Sequence, residues 1–128
     1  MPKNIFIVDD SPLLRRLVRD CLESRVEHID CTEAVNGWDA VQRANEVKPD
    51  VVILDLCMPV MNGLEAAASL HSMLPKVPII LYTLHKDMVP EKQIQNSGIR
   101  AVVSKMDQID VLLAEIIRYV GGAKTASA

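Results

Sequence analysis

The amino-acid sequence predicts an α/β fold in which one parallel β-sheet is covered by helices on both faces. Short apolar runs alternate five times with segments of helical periodicity along the chain. One of these runs, Val51–Leu54, is branched throughout and has no polar alternation, which is typical of a central strand buried on both faces. Because parallel neighbours require right-handed crossovers, the alternation predicts a doubly wound sheet of five strands and five helices.

The composition fits one globular domain. The chain has 128 residues, of which 49% are hydrophobic and 24% charged, enough to bury a core but too few for a second domain. A net charge of -3 with mixed signs gives no indication of a nucleic-acid or membrane surface. The apolar run near the N-terminus is too short for a signal or membrane segment, and the three cysteines at unrelated spacings suit reduced thiols. We therefore expect a cytoplasmic protein.

The first half of the chain supplies two strand–helix units. Residues 5–8 predict strand one, and Ser11-Pro12 is typical of a helix start with an N-cap followed by proline. Residues 29–35 and 38–47 predict the second strand and helix. The apolar stripe predicted for helix one comprises Leu13, Leu14, Leu17, Val18, Cys21 and Leu22. The polar residues predicted on its opposite face are Arg15, Arg16, Arg19 and Asp20.

The second half continues the alternation after the central strand. Helices three and five are predicted over residues 66–74 and 109–120, and strands four and five over residues 77–83 and 101–104. Gly121-Gly122 ends the last helix. We therefore assign residues 1–121 to the domain and residues 122–128 to a flexible tail or the start of a linker.

The fourth helix, predicted over residues 85–97, is the weakest element. Pro90 can lie only in its first turn, because proline lacks the N–H that a helix interior requires. Ile94 is nearly alone as an apolar anchor among lysine, glutamine and asparagine residues. We expect this helix to be the loosest of the five.

Polar side chains follow four of the five strands. They are Asp9, Asp10, Asp55, Thr83 and Lys105. The carboxyl ends of parallel strands lie along one edge of a sheet, so these groups should converge there. Clustered carboxylates invite a hard cation such as Mg²⁺, which binds through a few carboxylates together with water and phosphate oxygens. A hydroxyl and an ammonium would complement a phosphoryl group, so the set predicts in-line attack of a carboxylate on phosphorus to give an aspartyl phosphate.

These residues resemble the receiver domain of two-component response regulators, the CheY-like family. The resemblance rests on the Asp9-Asp10 pair, on Asp55 within Asp-Leu-Cys-Met-Pro-Val-Met-Asn-Gly, and on Thr83 and Lys105 after two further strands. It extends over residues 3–120. It implies a flavodoxin-like three-layer sandwich with strand order 2-1-3-4-5.

The resemblance also implies a role for each site residue. Asp55 would accept a phosphoryl group from a histidine kinase or a phosphotransfer protein. Mg²⁺ would be bound by Asp10, Asp55 and the backbone carbonyl of Cys57, with Asp9 assisting through water, while Thr83 and Lys105 would hold the phosphoryl group. The phosphorylated domain would contact a downstream protein or output domain through the face of helix 4, strand 5 and helix 5, or form a homodimer. No direct contact with nucleic acid or membrane is implied.

Two departures from the family pattern concern its switch. Val102 stands where the family usually has an aromatic residue, and Leu84 where it usually has a small one. Valine is too short and too restricted in rotamer to couple with the movement of the Thr83 hydroxyl. We therefore expect activation to reorder residues 85–97 more than strand five. Cys57 and His85 should flank the path of a hydrolysing water, which predicts slow to moderate self-dephosphorylation.

Other functional classes remain open alongside this hypothesis. An aspartyl-phosphate phosphatase typically has its nucleophile on strand one in Asp-x-Asp, whereas Asp55-Leu56-Cys57 lacks the second acid. A flavin carrier needs a phosphate-binding loop after strand one, where Asp9-Asp10 would repel a phosphate. A receiver with a degraded switch could act by constitutive contacts. The ending Val-Ser-Lys of strand five resembles receivers attached to helix-turn-helix output domains, so the chain is either stand-alone or the N-terminal receiver of a DNA-binding transcriptional regulator.

Overall fold

A computed structural model describes residues 1–94 and 97–124 and contains the predicted sheet. Its strands are β1 (Lys3–Val8), β2 (Ile29–Ala34), β3 (Val51–Leu54), β4 (Ile79–Thr83) and β5 (Ile99–Ser104). They are parallel and lie in the order β2-β1-β3-β4-β5. The predicted fold class and strand order are therefore confirmed.

The helices are α1 (Pro12–Arg25), α2 (Gly37–Val47), α3 (Gly63–Met73), α4 (Glu91–Ile94) and α5 (Ile109–Val120), with a 3-10 turn at Lys86–Met88. Side-chain oxygens of Ser11, Asn36 and Asn62 cap the first three helices by accepting from backbone N–H groups. At Asn62 the cap is reciprocal, because the Glu65 side chain accepts from the backbone of Asn62. Within the described part of the chain, no helix has the length and apolar character needed to span a membrane.

Two apolar layers enclose the sheet, one on each face. Alternate residues of β1 point to opposite layers, with Ile5 and Ile7 on the side of α1 and α5 and Phe6 and Val8 on the side of α2 and α3. All residues of β3 are buried. The central strand therefore runs through the middle of the core, as its sequence predicts.

The predicted apolar stripe of α1 is partly wrong. Leu13 and Leu17 are 82% and 50% exposed. The buried stripe instead runs through Leu14, Val18 and Leu22, spaced one turn apart and packed against the α5 side of the core. A surface helix buries only about 100° of its circumference, so a stripe centred on these three leaves the neighbouring leucines at its margin.

The segment after β4 also differs from its prediction. The helix predicted over residues 85–97 begins only at Glu91, after the 3-10 turn, and its described residues form one turn. Pro90 lies directly before Glu91, where it interrupts hydrogen bonding between the two short helical pieces. Residues 95–96 lie outside the described residues. This segment is the least regular covering of the sheet.

The chain beyond α5 pairs with the residues that join the end of α1 to β2. Glu27 donates its backbone N–H to the Gly122 carbonyl at 2.7 Å, and Lys124 donates its own to the Arg25 carbonyl at 2.9 Å. Gly122 has a φ of +72° and its position has no room for a Cβ, which would lie 2.6 Å from the Glu27 oxygen. The paired chain therefore continues past the predicted boundary at residue 121 as far as Lys124, and residues 125–128 lie outside the described residues.

Candidate functional site

Three carboxylates meet at the carboxyl edge of the sheet. Asp9 follows β1 and Asp55 follows β3, and the two strands are neighbours, joined here by a 3.1 Å bond from the Asp55 N–H to the Val8 carbonyl. One carboxylate oxygen from each of Asp9, Asp10 and Asp55 lies within 4.8 Å of the others. Asp9 and Asp55 are buried, whereas Asp10 is exposed. The edge therefore concentrates negative charge in a largely desolvated place.

Lys105 supplies the positive charge that balances this cluster. Its ammonium nitrogen lies 2.8 Å from Asp9 Oδ2 and 3.4 Å from Asp55 Oδ2, and the side chain is nearly buried. The Lys105 backbone N–H donates to the Thr83 carbonyl at 2.9 Å, which ties the end of β5 to the end of β4. The ammonium is thus held against both buried acids.

Thr83 lies at the same edge, at the end of β4, with its side chain fully buried. Its hydroxyl oxygen accepts a hydrogen bond of 3.0 Å from the backbone N–H of His85. A hydroxyl that accepts in this way still has its own proton to donate. The contact with His85 therefore leaves the Thr83 hydroxyl proton unused.

An open cleft of about 270 Å³ lies above these groups. Its lining consists of Asp9, Asp10, Ser11, Asp55, Cys57, Leu84, His85 and Lys105. Cys57 and His85, which the sequence predicts beside the path of a hydrolysing water, are both in this lining. The acids, the ammonium and these two side chains therefore share one solvent-accessible space.

The electrostatics of the site disfavour the ionised form of Asp55. Burial raises the pKa of Asp55 above its ordinary value and the charge of Asp9 raises it further, while Lys105 and the backbone N–H of Cys57 oppose the shift. Burial alone would lower the pKa of Lys105, but its hydrogen bond and charge interactions with Asp9 and Asp55 outweigh it, so that pKa is raised. Lys105 is therefore cationic, and additional positive charge at the acids would stabilise them.

The three carboxylates form a donor set that fits a divalent cation. Their oxygens are hard ligands, they lie close enough for one ion to touch all three, and one of them is open to solvent. This is the kind of site that Mg²⁺ prefers, with a few carboxylates and room for water or phosphate oxygens. The acidic edge can therefore hold a metal ion.

Gly63 allows α3 to begin directly beneath the acid. A Cβ at this position would lie 2.2 Å from the Asp55 carbonyl oxygen, and the Gly63 N–H donates to the Leu56 carbonyl at 2.7 Å. Only glycine permits so close an approach of helix and strand end. The Asn62-Gly63 pair thus caps the helix and fixes the loop that carries Asp55.

The sequence prediction missed Arg15, which it placed on the solvent face of α1. Its Nη1 donates to the backbone carbonyl of Asp9 at 2.6 Å, and its Nε lies 2.9 Å from Glu33 Oε1 at the end of β2. The available signal was Glu33 itself, an acid at the carboxyl end of a strand that pairs with β1. A carboxylate at that edge favours an ion pair with a basic residue of the neighbouring helix.

The two expected switch positions lie on different surfaces. Val102 is half-buried and packs against the layer formed by α2 and α3. Leu84 is 57% exposed and lines the mouth of the cleft.

Known proteins resemble this chain over most of its length. A family model described as the response regulator receiver domain matches residues 5–117. The polar-differentiation response regulator DivK of Brucella anthropi is 30% identical over 125 residues, covering 96% of this chain and 100% of that protein. A protein-glutamate methylesterase/protein-glutamine glutaminase of Clostridium acetobutylicum is 42% identical over 79 residues, covering 62% of this chain and 23% of that protein. This chain therefore spans less than a quarter of the length of that enzyme.

A solved structure matches the fold closely. The response regulator protein TrrA of Thermotoga maritima, in complex with Mg(2+)-BeF, superposes with a TM-score of 0.81 at 28% identity. The match covers 91% of this chain and 98% of that chain.

Proposed function

This chain belongs to the response regulator receiver domain family, and we propose that Asp55 is the residue on which it accepts a phosphoryl group. The observation that carries the proposal is the position of Asp55. It is buried at the end of the central strand, with one oxygen 3.4 Å from the Lys105 ammonium and the carboxylates of Asp9 and Asp10 beside it. The donor of the phosphoryl group is a histidine kinase or a phosphotransfer protein of a two-component system.

Transfer proceeds by in-line attack of an Asp55 carboxylate oxygen on phosphorus. A new P–O bond forms as the P–N bond of the donor phosphohistidine breaks, and its electron pair leaves with the imidazole, which takes a proton from solvent. The Lys105 ammonium favours the ionised form of Asp55 before transfer, against the effect of burial, and pairs with a phosphoryl oxygen afterwards. Thr83 donates its hydroxyl proton to another phosphoryl oxygen. A magnesium ion held by Asp10, Asp55 and the Cys57 carbonyl, with Asp9 assisting through water, would offset the negative charge of the acids.

The proposed domain acts on no substrate other than its own aspartate. Phosphorylation changes the face formed by α4, β5 and α5, which binds a downstream protein or an output domain or joins two copies of the chain. All of these exchanges take place in the cytoplasm. The phosphatase alternative is not favoured, because the position two residues beyond Asp55 is Cys57 and not a second acid.

Mass spectrometry after incubation with acetyl phosphate and Mg²⁺ tests the assignment. The unaltered chain should gain the mass of one phosphoryl group, and Asp55→Asn or excess EDTA should abolish the gain. Asp107→Asn is a matched control, since it removes an exposed carboxylate near the same edge that does not line the cleft. Undiminished labelling of Asp55→Asn would contradict the assignment.

The lifetime of the phosphorylated form depends on the two side chains that line the cleft beside the acid. Cys57 and His85 are poorly suited to orient an attacking water, which supports slow to moderate self-dephosphorylation. Cys57→Asn and His85→Glu should change the decay rate of phosphorylated protein. If neither changes it by more than about twofold, roughly 0.4 kcal/mol of barrier, these side chains do not gate the water.

A further inference from the structure

Hydrogen bonds hold the backbone of Asp9 on both sides. The Asp9 N–H donates to the Ala34 carbonyl at 3.2 Å, as a continuation of the pairing between β1 and β2. The Asp9 carbonyl, which belongs to the Asp9–Asp10 peptide, accepts the 2.6 Å hydrogen bond from Arg15 Nη1. The bond from Arg15 therefore restrains the peptide that joins Asp9 to Asp10.

Arg15 is itself anchored, unlike its neighbour in the sequence. Its Nε donates to Glu33 Oε1 at 2.9 Å, and the other oxygen of Glu33 lies 3.0 Å from Arg19 Nη1. The Glu33 backbone carbonyl accepts from Arg43 of α2 at 2.7 Å. Arg15 is 12% exposed, whereas Arg16 is 82% exposed and lies only within 3.8 Å of Asp20 on its own helix. The Arg15 guanidinium thus bridges a fixed acid and the Asp9 carbonyl.

We infer that Arg15 is a positioning residue for the cation site: its hydrogen bond to the Asp9 carbonyl holds the exposed Asp10 carboxylate toward Asp55. This inference rests on the proposed function, because it assumes that the acidic edge binds Mg²⁺. Asp10 is repelled by the two buried carboxylates and is free to solvent on its other side, so a loosened peptide would let it turn away. Outer partners that orient metal ligands typically contribute tenfold or more to metal affinity.

A positioning role and a purely electrostatic role predict opposite signs. The guanidinium is a positive charge near the site, so removing its charge alone would make Mg²⁺ bind more tightly. Loss of the hydrogen bond would instead leave Asp10 unsupported and make Mg²⁺ bind more weakly. Lysine keeps the charge but not the planar fork that reaches Glu33 and the Asp9 carbonyl together.

Calorimetric titration of the unphosphorylated full chain with Mg²⁺ alone tests the inference. Arg15→Met removes charge and donors while keeping an apolar stem, Arg15→Lys keeps the charge, and Arg16→Met is the matched control from the same helix. Both Arg15 variants should raise the Kd for Mg²⁺ by about tenfold. Arg16→Met should leave it within about twofold, as expected for a solvated charge. Thermal melts establish the temperature at which every variant is folded.

Labelling with acetyl phosphate supplies a second readout that general damage to the fold would not reproduce. The Mg²⁺ concentration for half-maximal labelling should rise with the Kd, whereas the rate at saturating Mg²⁺ should stay within about twofold of the unaltered chain. An unchanged or lower Kd in Arg15→Met would overturn the inference, and so would full affinity in Arg15→Lys. If Arg15→Met does not fold, Arg15→Lys decides alone. Absence of Mg²⁺ binding by the unaltered chain would instead overturn the proposed function and this inference with it.

Discussion

The two helical layers of the molecule differ in helix length and in how many apolar side chains they bury against the sheet. On one face, α1 and α5 have 14 and 12 residues and bury Val18, Leu22, Leu112, Leu113 and Ile116 against the sheet. On the other face, α2 and α3 have 11 residues each, but the described part of α4 has four residues, none of them buried. The second layer is therefore thin over β4 and β5, where the described chain has only short helical pieces.

The polar residues of the site therefore connect to helical layers that differ in how firmly they pack. Asp10 is followed in the chain by α1 and Lys105 by α5, so both connect to the well-packed layer. Thr83 leads into the thin layer through Leu84 and His85. Segments with few buried apolar groups open at low free-energy cost, so a change at Thr83 can spread there without disturbing the core. In the described part of α4 only Ile94 is apolar, so the sequence itself leaves this side weakly packed.

The largest expected effect is the loss of unfolding free energy on truncating a side chain of the well-packed layer. Leu112 of α5 is fully buried, so Leu112→Ala should lower the free energy of unfolding by about 3 kcal/mol through lost burial and a cavity. Ile94 of α4 is only half-buried on a single turn, so Ile94→Ala should cost about 1 kcal/mol or less. Urea unfolding of both variants measures the difference. Equal losses would mean that α4 packs as firmly as α5.

Much of the fold and of the site was predictable because the signals are local or topological. The unbroken apolar run of β3 fixes a central strand, and alternation with helical segments fixes parallel pairing. Once the strands are parallel, their carboxyl ends share one edge, so Asp9, Asp55 and Lys105 meet although 96 residues separate the first from the last. No side-chain detail is needed for that conclusion.

The parts that escaped prediction depend on how elements sit against one another. The rotation of α1 about its axis is set by packing on the sheet, and a periodic run of leucines fits more than one rotation. That is why Leu13 and Leu17 were expected inside and Arg15 outside. The late start of α4, at Glu91, depends on Pro90 and on the 3-10 turn before it, which helical propensity alone does not predict.

A second prediction concerns the response of the thin layer to activation. With beryllofluoride and Mg²⁺, hydrogen-exchange protection should change mainly over residues 83–98, by on the order of 1 to 3 kcal/mol in local opening free energy. Val102 is too short to couple strand five strongly to Thr83, so residues 101–104 should change less. Asp55→Asn treated in the same way is the control. Equal or larger changes over residues 101–104 would show that Val102 still carries the switch.

A third prediction concerns the effect of the Asp55 charge on the stability of the chain. Asp55→Asn should raise the stability of the metal-free chain at neutral pH by about 1 kcal/mol, because it removes a desolvated charge that Asp9 repels, while Lys105 keeps its 2.8 Å partner Asp9. The pKa of Asp55 is raised by folding, so the folded chain holds this proton to higher pH than the unfolded chain. Ionisation of Asp55 therefore costs stability as the pH rises above about 4.

Urea unfolding at several pH values measures this effect. The advantage of Asp55→Asn should disappear below about pH 4, where Asp55 is protonated in both states. Mg²⁺ at a hundred times its Kd should stabilise the unaltered chain by about 2.7 kcal/mol and the variant much less. A variant that is less stable than the unaltered chain without metal would show that Lys105 outweighs the repulsion.

The smallest expected effect lies in the loop between Asp55 and α3. Val60, between Asp55 and α3, has a φ of +74° and is 80% exposed, so a β-branched residue occupies the left-handed region without compensating burial. Val60→Gly removes a steric cost of about 1 to 2 kcal/mol but loosens the unfolded chain, for a net gain near 0.5 kcal/mol. Val60→Ala keeps a Cβ in the same backbone conformation and should gain less. If the alanine variant proves the more stable of the two, the loop does not hold this conformation in solution.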